Sequence, residues 1–176
     1  MHAPHFSWTS DRLHWLQRSV LCWLATANAE GQPNVSPKEV FVPWEQDKLL
    51  IAHIASPVSA HNIGQQSQVC ISCLDVFAQK GLKLQGVATV VWPDEPTYPT
   101  LAAPLKALIG DRFPLRGVIR VHVRECQTIL APSYVLFPET TESEQIRAAW
   151  HSYTMRLPDS EVLPPPTTPL SNKETP

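Results

Sequence analysis

The chain has 176 residues, 43% of them hydrophobic and 17% charged, with a formal net charge of -2. That length and apolar content suit one domain with its own core, without disulfide staples. The balance excludes broad binding to a nucleic-acid backbone, which needs a basic excess, and no apolar run is long enough for a membrane-spanning helix. The first ten residues lack the basic flank and apolar core of a secretory signal, so the expected compartment is the cytoplasm.

Ser10 caps a first short helix, with Leu13, Leu16 and Val20 at spacings of three and four. The run "VLCWLATAN" reads as the first strand and "AEGQ" as a turn. "PNVSPKEVFV" is expected as one second strand with a fault. Pro37 has no N–H for a sheet ladder, and Lys38 and Glu39 put charge beside it. Either this is an edge strand or its backbone serves something other than a neighbouring strand. "KLLIAHIA" is a third strand, completing an antiparallel hairpin series.

"SPVSAHNIGQQSQ" begins as a turn and continues as a short helix. "VCISCLDVF" and "KGLKLQGVATVVW" are the fourth and fifth strands. In the fifth, Leu82, Leu84, Gly86, Ala88 and Val90 share a parity, and Gly86 signals a bulge or a close backbone approach. A helical stretch carries Leu101, Leu105 and Leu108, shortened or kinked by Pro99 and Pro104. "GVIRVHVRECQTIL" is the sixth strand, with Ile119, Val121, Val123 and Ile129 on one parity. Thr141 and Glu144 form a capping box before a helix with Ile146, Ala149, Trp150 and Tyr153 on its apolar face. The expected organisation is one domain over residues 1–157 and a proline-rich, mobile tail over 158–176. Six short strands with turn signals point to a small antiparallel barrel, a β-sandwich being the alternative.

The "CISC" pair, Cys70 and Cys73, looks like a metal or redox motif but lies in a strand, where residues three apart face opposite ways. Cys22 and Cys126 are singletons, so all four cysteines read as reduced and structural, with no metal. His53 sits in an apolar strand and reads as a buried, hydrogen-bonded histidine. No nucleophile elbow, phosphate loop or carboxylate pair is present, so no catalytic residue is assigned. What remains is three polar interruptions: Ser36-Pro37-Lys38, the "SPVSAHN" turn, and Lys80-Gly81-Leu82-Lys83. Converging at strand ends, Ser59, Asn62 and a helix N-terminus could meet a phosphate, with Lys38, Lys80 and Lys83 supplying positive charge. Singly, each lysine reads as a solvated strand-end residue.

In order and spacing, "LATANAEGQPNVSPKEVF", "LLIAHIASPVSAHNI", "VCISCLDVFAQKGLKLQGVATVV" and "APSYVLFPETTESEQIRAAW" make the chain, from about Trp15 to Tyr153, similar to the pyridoxamine 5′-phosphate oxidase-like, FMN-binding split-barrel family. The resemblance implies a mostly β fold: a six-stranded antiparallel Greek-key split barrel with flanking helices. It implies a homodimer with FMN at the interface and a small-molecule redox partner, NAD(P)H being one candidate. Ser36, Pro37 and Lys38 would face the isoalloxazine, Ala52 and Ile54 would border it, and Ser59 and Asn62 would meet the phosphate. Lys80, Gly81, Leu82 and Lys83 would reach over from the next hairpin. The sequence departs from the true oxidases after Ser56, where Pro57 and Val58 replace a basic pair, and at His61, where nearer relatives carry a basic residue. Pyridoxine phosphate oxidation is therefore not expected. The implied function is an FMN-dependent oxidoreductase; the alternatives are a flavin carrier without turnover and a cofactor-free interaction module.

Overall fold

The computed structural model describes residues 6–110 and 113–155; the expected tail over 158–176 lies outside them. The chain divides into two compact units, one of Met1–Asp75 with Lys80–Leu130 and one of Val76–Gln79 with Ala131–Pro176.

The first unit is an antiparallel sheet with three helices: α1 (Ser10–Arg18), β1 (Cys22–Ala27), β2 (Pro33–Lys38), β3 (Phe41–Trp44), β4 (Lys48–His53), α2 (Pro57–Gln65), β5 (Gln68–Asp75), β6 (Lys80–Val91), α3 (Tyr98–Ile109) and β7 (Gly117–Leu130). Seven strands replace the six expected from sequence, because "PNVSPKEVFV" is two strands and not one. The break falls at Glu39 and Val40, just after the Pro37 fault.

That break also explains the curl. The strand order is β2-β1-β5-β6-β7-β4-β3, so β2 and β3 are opposite edges of one sheet. Laid flat, strands spaced about 4.8 Å apart would hold those edges about 29 Å from each other. The three residue steps from Lys38 to Phe41 reach at most about 11 Å. The sheet must therefore roll until its edges meet, giving a split barrel. Its seam carries the unladdered prolines: Pro33 and Pro37 on edge strand β2, and Pro43 on edge strand β3. The β3–β4 ladder runs one pair beyond Phe41, Ala52 N–H donating to Val40 O at 2.9 Å.

Paired residues share a face, and the inner face holds Leu24, Ile71, Leu84, Leu49, Ile51, Ile119 and Val121, all fully buried. Truncating such a leucine to alanine costs about 2–5 kcal/mol. The outer face of β4 and the adjoining ends of β6 and β7 are buried too. There Leu50, Ala52, Val91 and Val118 pack under Tyr98, Leu101, Ala102, Leu105 and Ile109 of α3. Pro104 lies inside α3, which nonetheless spans twelve residues.

The bulge signalled by Gly86 is present: the β6–β7 register shifts between Gln85 and Gly86. A Cβ on Gly86 would lie 2.2 Å from His122 O, so only glycine lets β7 come this close. The extra residue resets the parity of β7. Cys126 and Thr128 then pair with the inward Leu84 and Leu82, and Ile129 pairs with Gly81 on the opposite face from Val123. The single parity read from sequence for Ile119 through Ile129 therefore fails at the bulge.

The second unit holds α4 (Pro132–Leu136), which the sequence did not signal, and α5 (Glu142–Thr154). Both halves of the expected capping box are formed, with Thr141 Oγ1 accepting from Glu144 N–H and the Glu144 carboxylate accepting from Thr141 N–H. Phe77 packs on Trp150 and edge-on to Tyr153.

Candidate functional site

Two of the three polar interruptions turn out to be each other's partners. Helix α2 runs beside the inner face of β2 and β1, its N-cap Ser56 and Ser59 meeting alternate residues of β2 and Asn62 meeting β1. Lys38 Nζ donates to Ser56 Oγ. Ser36 and Ser59 hydroxyls lie 2.9 Å apart. Asn34 Nδ2 donates to Ser59 Oγ at 3.3 Å and to Thr26 Oγ1 at 3.2 Å, while Asn62 Nδ2 donates to Thr26 Oγ1 at 3.1 Å. A helix step of three residues and a strand step of two keep these side chains on facing sides. Ser59 and Asn62, at 1% and 4% exposure, are thus buried and already hydrogen-bonded within the barrel.

Lys38 is the exception to this internal satisfaction. It is 4% exposed, not solvated, because its side chain points inward with its β1 partner Cys22. It forms no ion pair among the described residues, and burial pulls its pKa below the ordinary lysine value. Beside it stands His53, also 4% exposed. Its Nδ1 has no hydrogen-bond partner, so the histidine is buried as expected but not fully satisfied. Burial, then the charges of Lys38 and Arg116, push the His53 pKa down. The Ser56 hydroxyl, engaged by Lys38, leaves the N-terminus of α2 without a side-chain cap. The seam thus gathers an ammonium, an unpaired imidazole nitrogen and the N-terminal end of α2, with Arg116 near enough to lower the His53 pKa.

The other expected site residues lie elsewhere. Ala52 is under α3, and Ile54 packs against the same cluster. Pro37 is exposed on the outer face, opposite Trp23 of β1. Lys80 and Lys83 lie on opposite faces of β6. The Lys80 ammonium sits 5.6 Å from the Trp15 ring centre, and Lys83 shares the outer face with Ser72. Leu82 is core, and a Cβ on Gly81 would lie 2.0 Å from Cys73 O, so this glycine serves strand contact. Ser56, His53, Asn34 and Thr26 join the site without having been singled out for it; the polar residues at alternate positions 34, 36 and 38 of β2 and at 56 and 59 were the available signal.

Among the described residues no group of three His, Cys, Asp or Glu lies close enough to hold an ion. Cys73 pairs with Cys22 across β1 and β5, and that thiol contact plus burial push its pKa far up. Cys70 faces the other way.

A rolled antiparallel sheet of this order, with a helix laid against its β1–β2 edge, defines a split-barrel protein. Residues 12–130 match the family model described as pyridoxamine 5′-phosphate oxidase, and the chain belongs to that family. No curated protein gives a significant match. Among solved structures the fold is similar to HupZ of Group A Streptococcus, at 20% identity and TM-score 0.61 over 70% of this chain and 95% of that one. It is similar to HutZ, a heme storage protein of Vibrio cholerae, at 22% identity and TM-score 0.54 over 66% and 89%. It is also similar to a pyridoxamine 5′-phosphate oxidase-related, FMN-binding protein of Nostoc punctiforme, at 15% identity and TM-score 0.52 over 73% and 85%.

Proposed function

We propose that the protein binds FMN as a homodimer in the cytoplasm, with the phosphate at the β4–α2 turn, and exchanges electrons with a small molecule. The observation that carries this reading is Lys38: a buried ammonium with no ion pair among the described residues. Burying a cation without a paired anion is unfavourable. Lys38 has one neutral hydroxyl partner, and an anionic group beside Ser56 would offset the cost.

The donor set fits a phosphate. Lys38 would supply charge, and Ser56 a hydroxyl within the same contact. The N–H groups of Val58 and Ser59, in the first turn of α2, have no intrahelical partner and favour an anion. His53, held neutral by burial, can accept or donate one hydrogen bond at the seam. Bound FMN would supply two-electron chemistry at its ring; the chain's part is to hold its phosphate, and the exposed Pro37 would border what extends from it. Cytoplasmic placement is supported by the free state of Cys22, Cys70, Cys73 and Cys126.

A second reading, a split barrel that has lost its cofactor, is favoured by the internal bonding of Ser59 and Asn62. Titrating the purified protein with FMN and with riboflavin separates the two. The flavoprotein reading expects FMN to bind more tightly than riboflavin, and NADH or NADPH reduction then separates an enzyme from a carrier. Equal affinity for both flavins removes the phosphate site, and no binding leaves the scaffold.

A further inference from the structure

A second polar concavity lies on the face of the sheet opposite to Lys38, with Thr26 of β1 common to its rim and to the α2 network. The outer face of β1, β5, β6 and β7 forms a groove of about 500 Å³ whose lining includes Ala25, Ala27, Gln68, Cys70, Gln85 and Arg124. Its depth comes from two sequence choices. Short side chains at Ala25 and Ala27 keep the floor low. The bulge opposite Gly86 then inserts Arg124, which has no Cα partner on β6. Bulges re-aim side chains in this way.

The chemistry of the walls is specific. Gln68 and Gln85, with Gln66 beside them, each present a carboxamide that donates and accepts, the complement of an amide or imide edge. Arg124 and Glu125 line the same groove, both exposed, and neither forms an ion pair among the described residues. A guanidinium fork left open beside a row of amides suits a carboxylate held bidentately.

We propose that this groove is a binding site for a small planar heterocycle carrying an imide or amide edge and a carboxylate. The acid group meets Arg124 and the ring edge meets the glutamines. The site is separate from the Lys38 seam and does not depend on flavin being bound there.

Orotate and uracil are suitable probes, since they share the imide ring and differ in the carboxylate. Calorimetric titration of the full-length protein should show orotate binding about tenfold or more tightly than uracil, the value of a charge-assisted bidentate contact. Arg124→Ala should bring orotate down to the uracil level. Arg124→Lys, which keeps the charge and loses the fork, should fall between. Lys38→Met should leave orotate binding unchanged. Bound orotate should also slow alkylation of Cys70, on the groove floor, and not of Cys126. The proposal is overturned if neither probe binds at millimolar concentration, if orotate binds Arg124→Ala as it binds wild type, or if Cys70 is unprotected. Displacement of orotate by FMN would place both in one site and overturn the claim of a separate one.

Discussion

Replacing Lys38 by methionine keeps an unbranched side chain of similar length and removes the charge. Two effects oppose each other in the protein without ligand. The charge-assisted hydrogen bond to Ser56 is lost, at about 1.5–3 kcal/mol. The desolvation of an ammonium that is 4% exposed is relieved, a gross term of several kcal/mol per ion. The net change in unfolding free energy at neutral pH should therefore stay within about 1 kcal/mol of zero or favour the mutant. With FMN the balance is one-sided, because the phosphate loses its cation. Affinity should fall by about 1.5–3 kcal/mol, or roughly 10- to 150-fold, while riboflavin affinity stays the same. Fluorescence titration with both flavins, alongside urea unfolding of the ligand-free mutant, measures the three quantities. Unchanged FMN affinity with a stability loss above about 3 kcal/mol would make Lys38 a structural residue and refute the phosphate placement.

The same lysine sets a pH dependence. Its folded pKa lies below 10.5, so between the two values the unfolded chain binds more protons and the lysine's contribution to stability rises with pH. Its cost is fully present below the folded pKa. The stability gap between Lys38→Met and wild type should thus narrow as pH rises through that window, while wild-type FMN affinity weakens; a pH-independent gap contradicts the burial. Gly81→Ala would push a Cβ to 2.0 Å from Cys73 O, and should cost about 3 kcal/mol by urea unfolding; a loss below about 1 kcal/mol would contradict that close approach. Thr141→Ala removes the side-chain half of the α5 capping box. It should cost about 1 kcal/mol, with faster amide exchange confined to the first turn of α5.

The barrel was legible in the sequence because its strands alternate cleanly and its turns carry glycine, proline or charge. The second strand was misjudged for a physical reason: a strand that ends at one sheet edge and resumes at the other keeps the same local composition. Only the sheet order reveals the jump. Residues on the inner face of β2 were equally hard to place. Ser36 and Lys38 look solvated in a linear reading, since nothing local shows that α2 will lie along them. Ser56 and Ser59 meet that strand, and Asn62 meets Thr26 of the neighbouring β1, a tertiary match that local sequence does not show. Lys80 and Lys83 were grouped because they are neighbours in sequence, yet three strand residues put them on opposite faces. The bulge at Gly86 was legible from its glycine, but its effect on the parity of β7 and on Arg124 was not.

The most direct test of the central claim is equilibrium titration of the purified wild-type protein with FMN and riboflavin, followed by the visible flavin spectrum and by sedimentation. The Lys38 seam requires a perturbed flavin band on adding FMN, a clear preference for FMN over riboflavin, and a dimer carrying one flavin per subunit. An unperturbed spectrum at saturating flavin, or equal affinity for the two, would contradict it.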